Sequence, residues 1–311
     1  LVWPSDADDA ALVGTLLPTS GELGGPGLGV ERAVGLAAAD INKAVTEGAG
    51  GRHIAVLYCD TRGEPDRAVL AAQHLVDVGA RVAIGPLNDD AAVAVGEEVA
   101  TPGAYTQGGL VTVSPGAGVP SLTDLPDDNR VWRTISPLAA QAHGIAEVLQ
   151  DPAVAGFKAP SNIVVAYELS TYGVAYKDAL GTVLEGSVGY FLIPFPAAPG
   201  TGEDWSAQME AAVESLVDAA PDLVVVLGNP SAVQLVHYVD GLYQQQGWPP
   251  PSWLVSDRLR VDALFDPADP TMHLEDTLSR LVGTASGVDS QAAFDAFDAA
   301  YRAKYGYRHV P

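Results

Sequence analysis

Six histidines are the first candidates for chemistry: His53, His74, His143, His237, His273 and His309. A metal site needs several ligands at fixed spacing, often two on one helix face. No two of these histidines stand four apart, and the single cysteine, Cys59, supplies no thiolate set. No G-x-S-x-G elbow presents a serine nucleophile. The carboxylate pairs Asp89-Asp90 and Glu97-Glu98 are sequence neighbours, which diverge on a helix and do not converge on a substrate. Asp89 and Asp90 open a helix, where capping and the helix dipole favour an acid. The stretch Gly24-Gly25-Pro26-Gly27 follows an apolar strand and precedes an amphipathic helix. Strand, loop and helix in that order would gather backbone N–H groups to hold a small polar or anionic ligand. The third glycine of a dinucleotide fingerprint falls on Val30, and no phosphate-loop lysine motif occurs. These residues therefore imply no metal, no cofactor and no catalytic set.

The elements that must position such residues alternate. Short apolar runs predict strands at Leu12–Leu17, His53–Cys59, Val82–Gly85, Leu110–Ser114, Asn162–Ala166, Tyr190–Ile193, Leu223–Leu227, Trp253–Val255 and Leu281–Ala285. Helical spacing predicts helices at Val30–Lys43, Asp66–Val78, Ala91–Val99, Ala139–Leu149, Tyr172–Val183, Ser206–Ala219, Ser231–Gln246 and Gln291–Tyr305. Alternating strands and helices make parallel sheets covered on both faces. The segment Pro115–Asn129 is rich in Gly, Pro, Ser and Asp without periodicity, and it places a seam near Arg133–Pro137. Pro194–Gly202 and Gly247–Pro251 read as exposed loops. In open α/β sheets ligands bind outside the carboxyl ends of the strands. Those ends are Thr19–Gly27, Leu87–Asp90, Ser114–Gly118, Glu168–Tyr172, Gly228–Ser231 and Ser256–Arg258.

A chain of 311 residues suits two domains of roughly 150 residues. At 48% hydrophobic and 18% charged it is globular in composition. Its net charge of −23 argues against nucleic acid or an anionic membrane as partner, since both need a basic face. No run reaches the ~18 apolar residues of a membrane span. One cysteine excludes an internal disulfide, and its place in an apolar strand predicts a buried, inert thiol. The chain starts at Leu1 without a basic leader, which fits either a cytoplasmic protein or an exported one whose leader is gone.

Several segments, in order, resemble one family. They are PTSGELGGPGLGVERAVGLAAADIN at Pro18–Asn42, YCDTRGEPDRAVLAAQHLV at Tyr58–Val76 and VAIGPLNDDAA at Val82–Ala92. LVTVSPGAGVPSLT at Leu110–Thr123 and VWRTISP at Val131–Pro137 follow. The second half adds YELSTYGVAYKDAL at Tyr167–Leu180, PDLVVVLGNPSAVQLV at Pro221–Val236 and AFDAFDAAYRAKYG at Ala293–Gly306. Together they resemble the leucine/isoleucine/valine-binding protein family, the type I periplasmic binding proteins of branched-chain amino acid ABC transporters. The resemblance implies two doubly wound parallel α/β lobes joined by crossovers, with a ligand cleft between them. Lobe one is residues 1–134 plus 285–311 and lobe two is 135–284. It also implies an exported, periplasmic or lipid-anchored protein that passes a small ligand to the membrane permease of an importer. Family chains run on past the final helix, so a C-terminal truncation is expected.

The same resemblance assigns the site: Ser20, Pro26, Leu87, Asn88, Asp89, Ser114, Gly116, Ala117, Gly118, Tyr172, Asn229 and Asp257. Relatives hold a ligand carboxylate with hydroxyls at the positions of Asp89 and Gly118, and both hydroxyls are missing. An aspartate facing a carboxylate repels it. Backbone donors at Gly116 and Gly118 remain. Tyr172 matches the aromatic that stacks on the ligand, or else packs at a helix start. Asp257 matches the acid that grips an ammonium, or else caps a loop. The position near Asn229 or Pro230 lacks the usual tyrosine, and Pro26 stands where some relatives have an aromatic. These departures predict a cationic or polyhydroxyl ligand over a plain leucine-like one. The same fold could instead serve a sensory or receptor domain. An enzyme of doubly wound type lacks the converging residues it would need.

Overall fold

A computed structural model of the chain describes residues 9–21, 23–197, 204–259, 277–284 and 291–306. The chain divides into two compact units. The first runs to Ser136 and takes in the C-terminal segment from Val288; the second spans Pro137–Gly287.

The first unit is built on β1 (Ala11–Leu17), α1 (Gly24–Ala44), β2 (Ile54–Asp60), α2 (Pro65–Asp77), β3 (Val82–Ile84), α3 (Asp89–Val95), β4 (Val111–Ser114) and β5 (Val131–Arg133). Its sheet has the order β2-β1-β3-β4-β5, with every pairing parallel. The register sets Val13 against both Val56 and Val82, so β1 lies inside the sheet. Ala68, Val69, Ala72, Leu75 and Val76 form the buried face of α2, at the helical spacing the sequence shows. They pack with Leu16, Ala83, Val95 and Leu110 into one core. Removing the leucine and valine side chains among them from water supplies ~1.5–3 kcal/mol each.

The second unit holds α4 (Leu138–Gln150), β6 (Ile163–Glu168), α5 (Thr171–Leu184), β7 (Phe191–Phe195), α6 (Asp204–Ala219), β8 (Leu223–Leu227), α7 (Val233–Gln246), β9 (Ser252–Val255) and β10 (Leu281–Gly283). Its sheet runs β10-β9-β8-β6-β7, again all parallel. All five residues of β8, LVVVL, are buried, as a central strand covered on both faces requires. The last helix, α8 (Gln291–Tyr305), belongs to the first unit. There the Tyr305 hydroxyl donates to the Arg32 carbonyl at 3.0 Å.

Read from the start of each unit, the two strand orders are the same. The first strand (β1 or β6) is flanked by the second on one side and the third on the other. The winding direction reverses between β1 and β3 and between β6 and β8, and such a reversal opens a crevice at the strand carboxyl ends.

Three elements depart most from expectation. The glycine segment is helix: α1 starts at Gly24, six residues before Val30. Proline is tolerated in a first helical turn, where its missing N–H has no partner to lose. Gly27 is there for packing, since a Cβ on it would lie 1.8 Å from the Pro18 carbonyl oxygen. Val131–Arg133, given no element from sequence, is the edge strand β5; three residues are too few to show a period. Pro194, expected in a loop, pairs with Tyr167 inside β7. This is an edge strand, where a missing N–H costs little. Residues 198–202 of that loop, Ala285 of the last predicted strand, and His273 and His309 lie outside the described residues. Cys59 is half-buried, and burial, with help from the Glu31 charge, pushes its thiol above the usual range.

Candidate functional site

In the first unit, the sequence-predicted residues gather at the carboxyl ends of β1, β3 and β4. After β1, the amides of Thr19 and Ser20 donate to Asp60 Oδ1 at 2.9 and 3.3 Å, and the Ser20 hydroxyl donates to Asp60 Oδ2 at 2.6 Å. The Arg62 amide adds a fourth bond at 3.0 Å. Burial works against the charge of Asp60. The Ser20 hydroxyl and the three amides outweigh it and hold the carboxyl down at about 2. Asp60 therefore organises the turn that carries Ser20. Pro26 is exposed in the first turn of α1.

After β3, Leu87 and Asn88 lead into α3. The Asn88 side-chain amide donates to the Gly63 carbonyl at 2.9 Å. Its Oδ1 is buried with no hydrogen-bond partner among the described residues. Asp89 is the first residue of α3 and is 2% exposed. It accepts from the Gly118 amide at 2.7 Å and the Val119 amide at 3.1 Å.

After β4, the Ser114 hydroxyl donates to the Pro86 carbonyl at 2.6 Å and accepts from the Ala117 amide at 2.9 Å. The turn comes so close to the β3 end that a Cβ on Gly116 would lie 2.5 Å from the Leu87 carbonyl oxygen. Arg133 on β5 holds the outer side of this turn, donating to the Val119 carbonyl at 3.1 Å and the Gly118 carbonyl at 3.4 Å. The backbone donor expected at Gly118 is thus taken by Asp89. The pattern in the sequence showed the loop but not its occupant, because Asp89 and Gly118 stand 29 residues apart.

In the second unit, the carboxyl ends of β6, β8 and β9 carry one connected polar network. Glu168, the last residue of β6, is fully buried. Its Oε2 accepts from the Ser170 hydroxyl at 2.7 Å, the Asn229 side chain at 2.6 Å and the Asn229 amide at 3.2 Å. Its Oε1 accepts from the Ser231 hydroxyl at 3.2 Å. With the Asn229 Nδ2 turned to Glu168, its Oδ1 accepts from Arg258 at 3.0 Å. The Arg258 guanidinium lies 3.7 Å from the centre of the Tyr172 ring, a cation–π stack. The Tyr172 hydroxyl donates to Asp257 at 2.7 Å. Burial, reinforced by the Asp257 charge, raises the Tyr172 phenol well above its ordinary range, so the hydroxyl stays protonated as a donor.

Tyr172, Asn229 and Asp257 are therefore brought together. One face of the Tyr172 ring, expected to stack on a ligand, carries Arg258. Glu168 and Arg258 belong to this network, and sequence reasoning named them only as the ends of strand-end segments. An acid closing the apolar run Ile163-Val164-Val165-Ala166-Tyr167-Glu168 is the signal that marks the first. Among the described residues, no three His, Cys, Asp or Glu side chains group as a metal site, and no helix is long and apolar enough to cross a membrane.

Comparisons with known proteins agree with this architecture. A Leu/Ile/Val-binding protein homolog of Brucella melitensis is 28% identical over 167 residues, which is 54% of this chain and 42% of that relative. The match thus spans less than half the length of the curated relative. Among solved structures, the chain is similar to LivJ of Streptococcus pneumoniae, a branched-chain amino acid transporter substrate-binding protein in complex with isoleucine. The TM-score is 0.71 at 18% identity, over 96% of this chain and 78% of the other. It is also similar to a fatty acid ABC transporter substrate-binding protein from Thermomonospora curvata, with a TM-score of 0.72 at 17% identity over 97% and 71%. At these identities the likeness is one of fold, that of the type I periplasmic binding proteins. Residues 12–310 match a single family across both sheets and α8, and the chain belongs to that family, described as Periplasmic binding protein.

Proposed function

We propose that this chain is an extracytoplasmic solute-binding protein that captures a small polar ligand, an amino acid or a related amine or polar metabolite. It hands that ligand to the membrane permease of an ABC importer and performs no chemistry itself. The observation that carries this reading is the pair of polar clusters at the two winding reversals. Both sit where open parallel sheets bind ligands, and both are built from hydrogen-bonding side chains and turn amides. Relatives named as substrate-binding proteins of importers support the same role. Ser20, Pro26, Leu87, Asn88, Asp89, Ser114, Gly116, Ala117 and Gly118 are the proposed ligand wall of the first unit, and Tyr172, Asn229 and Asp257 that of the second.

The test is a thermal-shift screen of the protein against amino acids, amines, polyols and aromatic acids, followed by calorimetry. A ligand that binds should lose at least about tenfold in affinity with Asp257→Asn, through loss of a charge-assisted hydrogen bond. A screen in which no solute of these classes raises the melting temperature would sink the proposal.

A further inference from the structure

The β4 turn of the first unit is tied to the β3 end and to itself. The Ser114 hydroxyl donates to Pro86, and the Ala117 amide donates to Ser114. The two amides that follow, Gly118 and Val119, converge on one oxygen of Asp89. Two backbone N–H groups converging on a carboxylate oxygen are what a protein uses to hold a bound anion. Here the anion is the protein's own side chain, 2% exposed, at the winding reversal where a ligand is expected. Arg133 pulls on the carbonyls of the same two residues from the other side, so the turn is clamped between a carboxylate and a guanidinium. A second carboxylate brought to this turn would meet amides already in use and a negative charge at contact distance. Close by, the buried Asn88 Oδ1 is an acceptor with no donor among the described residues.

We propose that Asp89 is an internal anion that fills the place where the first unit would otherwise hold a ligand's carboxylate. The solute this chain accepts therefore presents a hydrogen-bond donor there, as an amine or polyhydroxyl compound does. This rests on the solute-binding reading above and narrows it to a ligand class. Asp89 acts here as a specificity-determining residue.

The test uses carboxylate probes on the full chain. Sodium acetate is titrated while the Gly118 and Val119 amide resonances are followed by nitrogen-15 NMR. In the unaltered protein they stay in place. In Asp89→Ser, which vacates the amides, they move saturably. In Asp89→Asn, which keeps an acceptor oxygen on them, they do not. Saturable movement in the unaltered protein, or none in a folded Asp89→Ser, overturns the proposal. Calorimetry then compares leucine with leucinamide, which lacks the carboxylate charge. Leucinamide should bind the unaltered protein at least about tenfold tighter, with the gap narrowing in Asp89→Asn; ionic contacts of this kind are worth that much. This second variant keeps the shape of the side chain and serves if Asp89→Ser does not fold. Equal affinity for the two probes, or a gap unchanged in Asp89→Asn, overturns the proposal. If the screen finds no solute at all, the solute-binding reading fails, while the acetate titration still decides whether Asp89 occupies the amides.

Discussion

Asp60 and Asp89 are both acids near strand carboxyl ends, and their surroundings give them different work. Asp60 is exposed and ties down the turn after β1 with one hydroxyl and three amides. Its carboxyl is held at about 2, below the ~3.9 of an aspartate in an unfolded chain. A depressed folded value stabilises the protein above the unfolded pKa, and that contribution is lost as pH falls through the folded one. Denaturant melts of the protein and of Asp60→Asn should differ at pH 6, and the difference should vanish between about pH 4 and pH 2. A difference that stays constant down to pH 2 would show that Asp60 acts without its charge. That Asp89, Ser114 and Tyr172 stand at strand carboxyl ends was legible in sequence, from their places after apolar runs. Their long-range hydrogen-bond partners were not, since those bonds span stretches such as the 85 residues between Tyr172 and Asp257.

The helices and strands show where a local pattern suffices. The five buried positions of α2 repeat at 3.6-residue spacing, so its existence and its inner face follow from the sequence alone. The start of α1 does not, because glycine and proline oppose helix locally, and the close fit of Gly27 against Pro18 is a packing contact that local pattern does not show. Two glycines of this helix should therefore respond oppositely to alanine. Gly27→Ala places a methyl group on the Pro18 carbonyl oxygen and should cost about 1–3 kcal/mol or more. A Cβ at Gly29 meets nothing within 4 Å, so Gly29→Ala should add roughly 0.5–1 kcal/mol by removing backbone entropy. Urea unfolding midpoints of the two variants check this, and a shift of the same sign in both would refute it. Strand β5 escaped notice because its three residues pair only with β4.

The two units have separate cores, and the chain leaves the first unit at Ser136 and rejoins it at Val288. Helix α8 carries that return. Tyr301 is fully buried, its hydroxyl 3.5 Å from the Gly29 carbonyl, and Arg32 lies over the Tyr305 ring at 5.4 Å. Tyr301→Ala should remove about 3–5 kcal/mol from the first unit, as large-to-small changes at buried aromatics do. Hydrogen exchange should then show lost protection in α1, β1 and β2, with β6 and β8 unchanged. Equal loss in both units would mean that they unfold as one.

The alternation of apolar runs and amphipathic helices was enough, without coordinates, to specify parallel α/β sheets and the places where their strands end. Periodicity is a local property, and burial of an apolar face enforces it wherever the chain is compact. The family, too, was legible in the ordered motifs. What those ends do was left to long-range geometry. Asp89, after β3, closes on Gly118 and Val119, after β4; Glu168, ending β6, closes on Asn229, after β8; and Arg258, after β9, lies on Tyr172, after β6, each across a long stretch of chain that the sheet folds back on itself. A hydrogen bond depends on distance and direction at the scale of a single atom. No pattern of residue types carries that information until the sheet has brought the strands side by side.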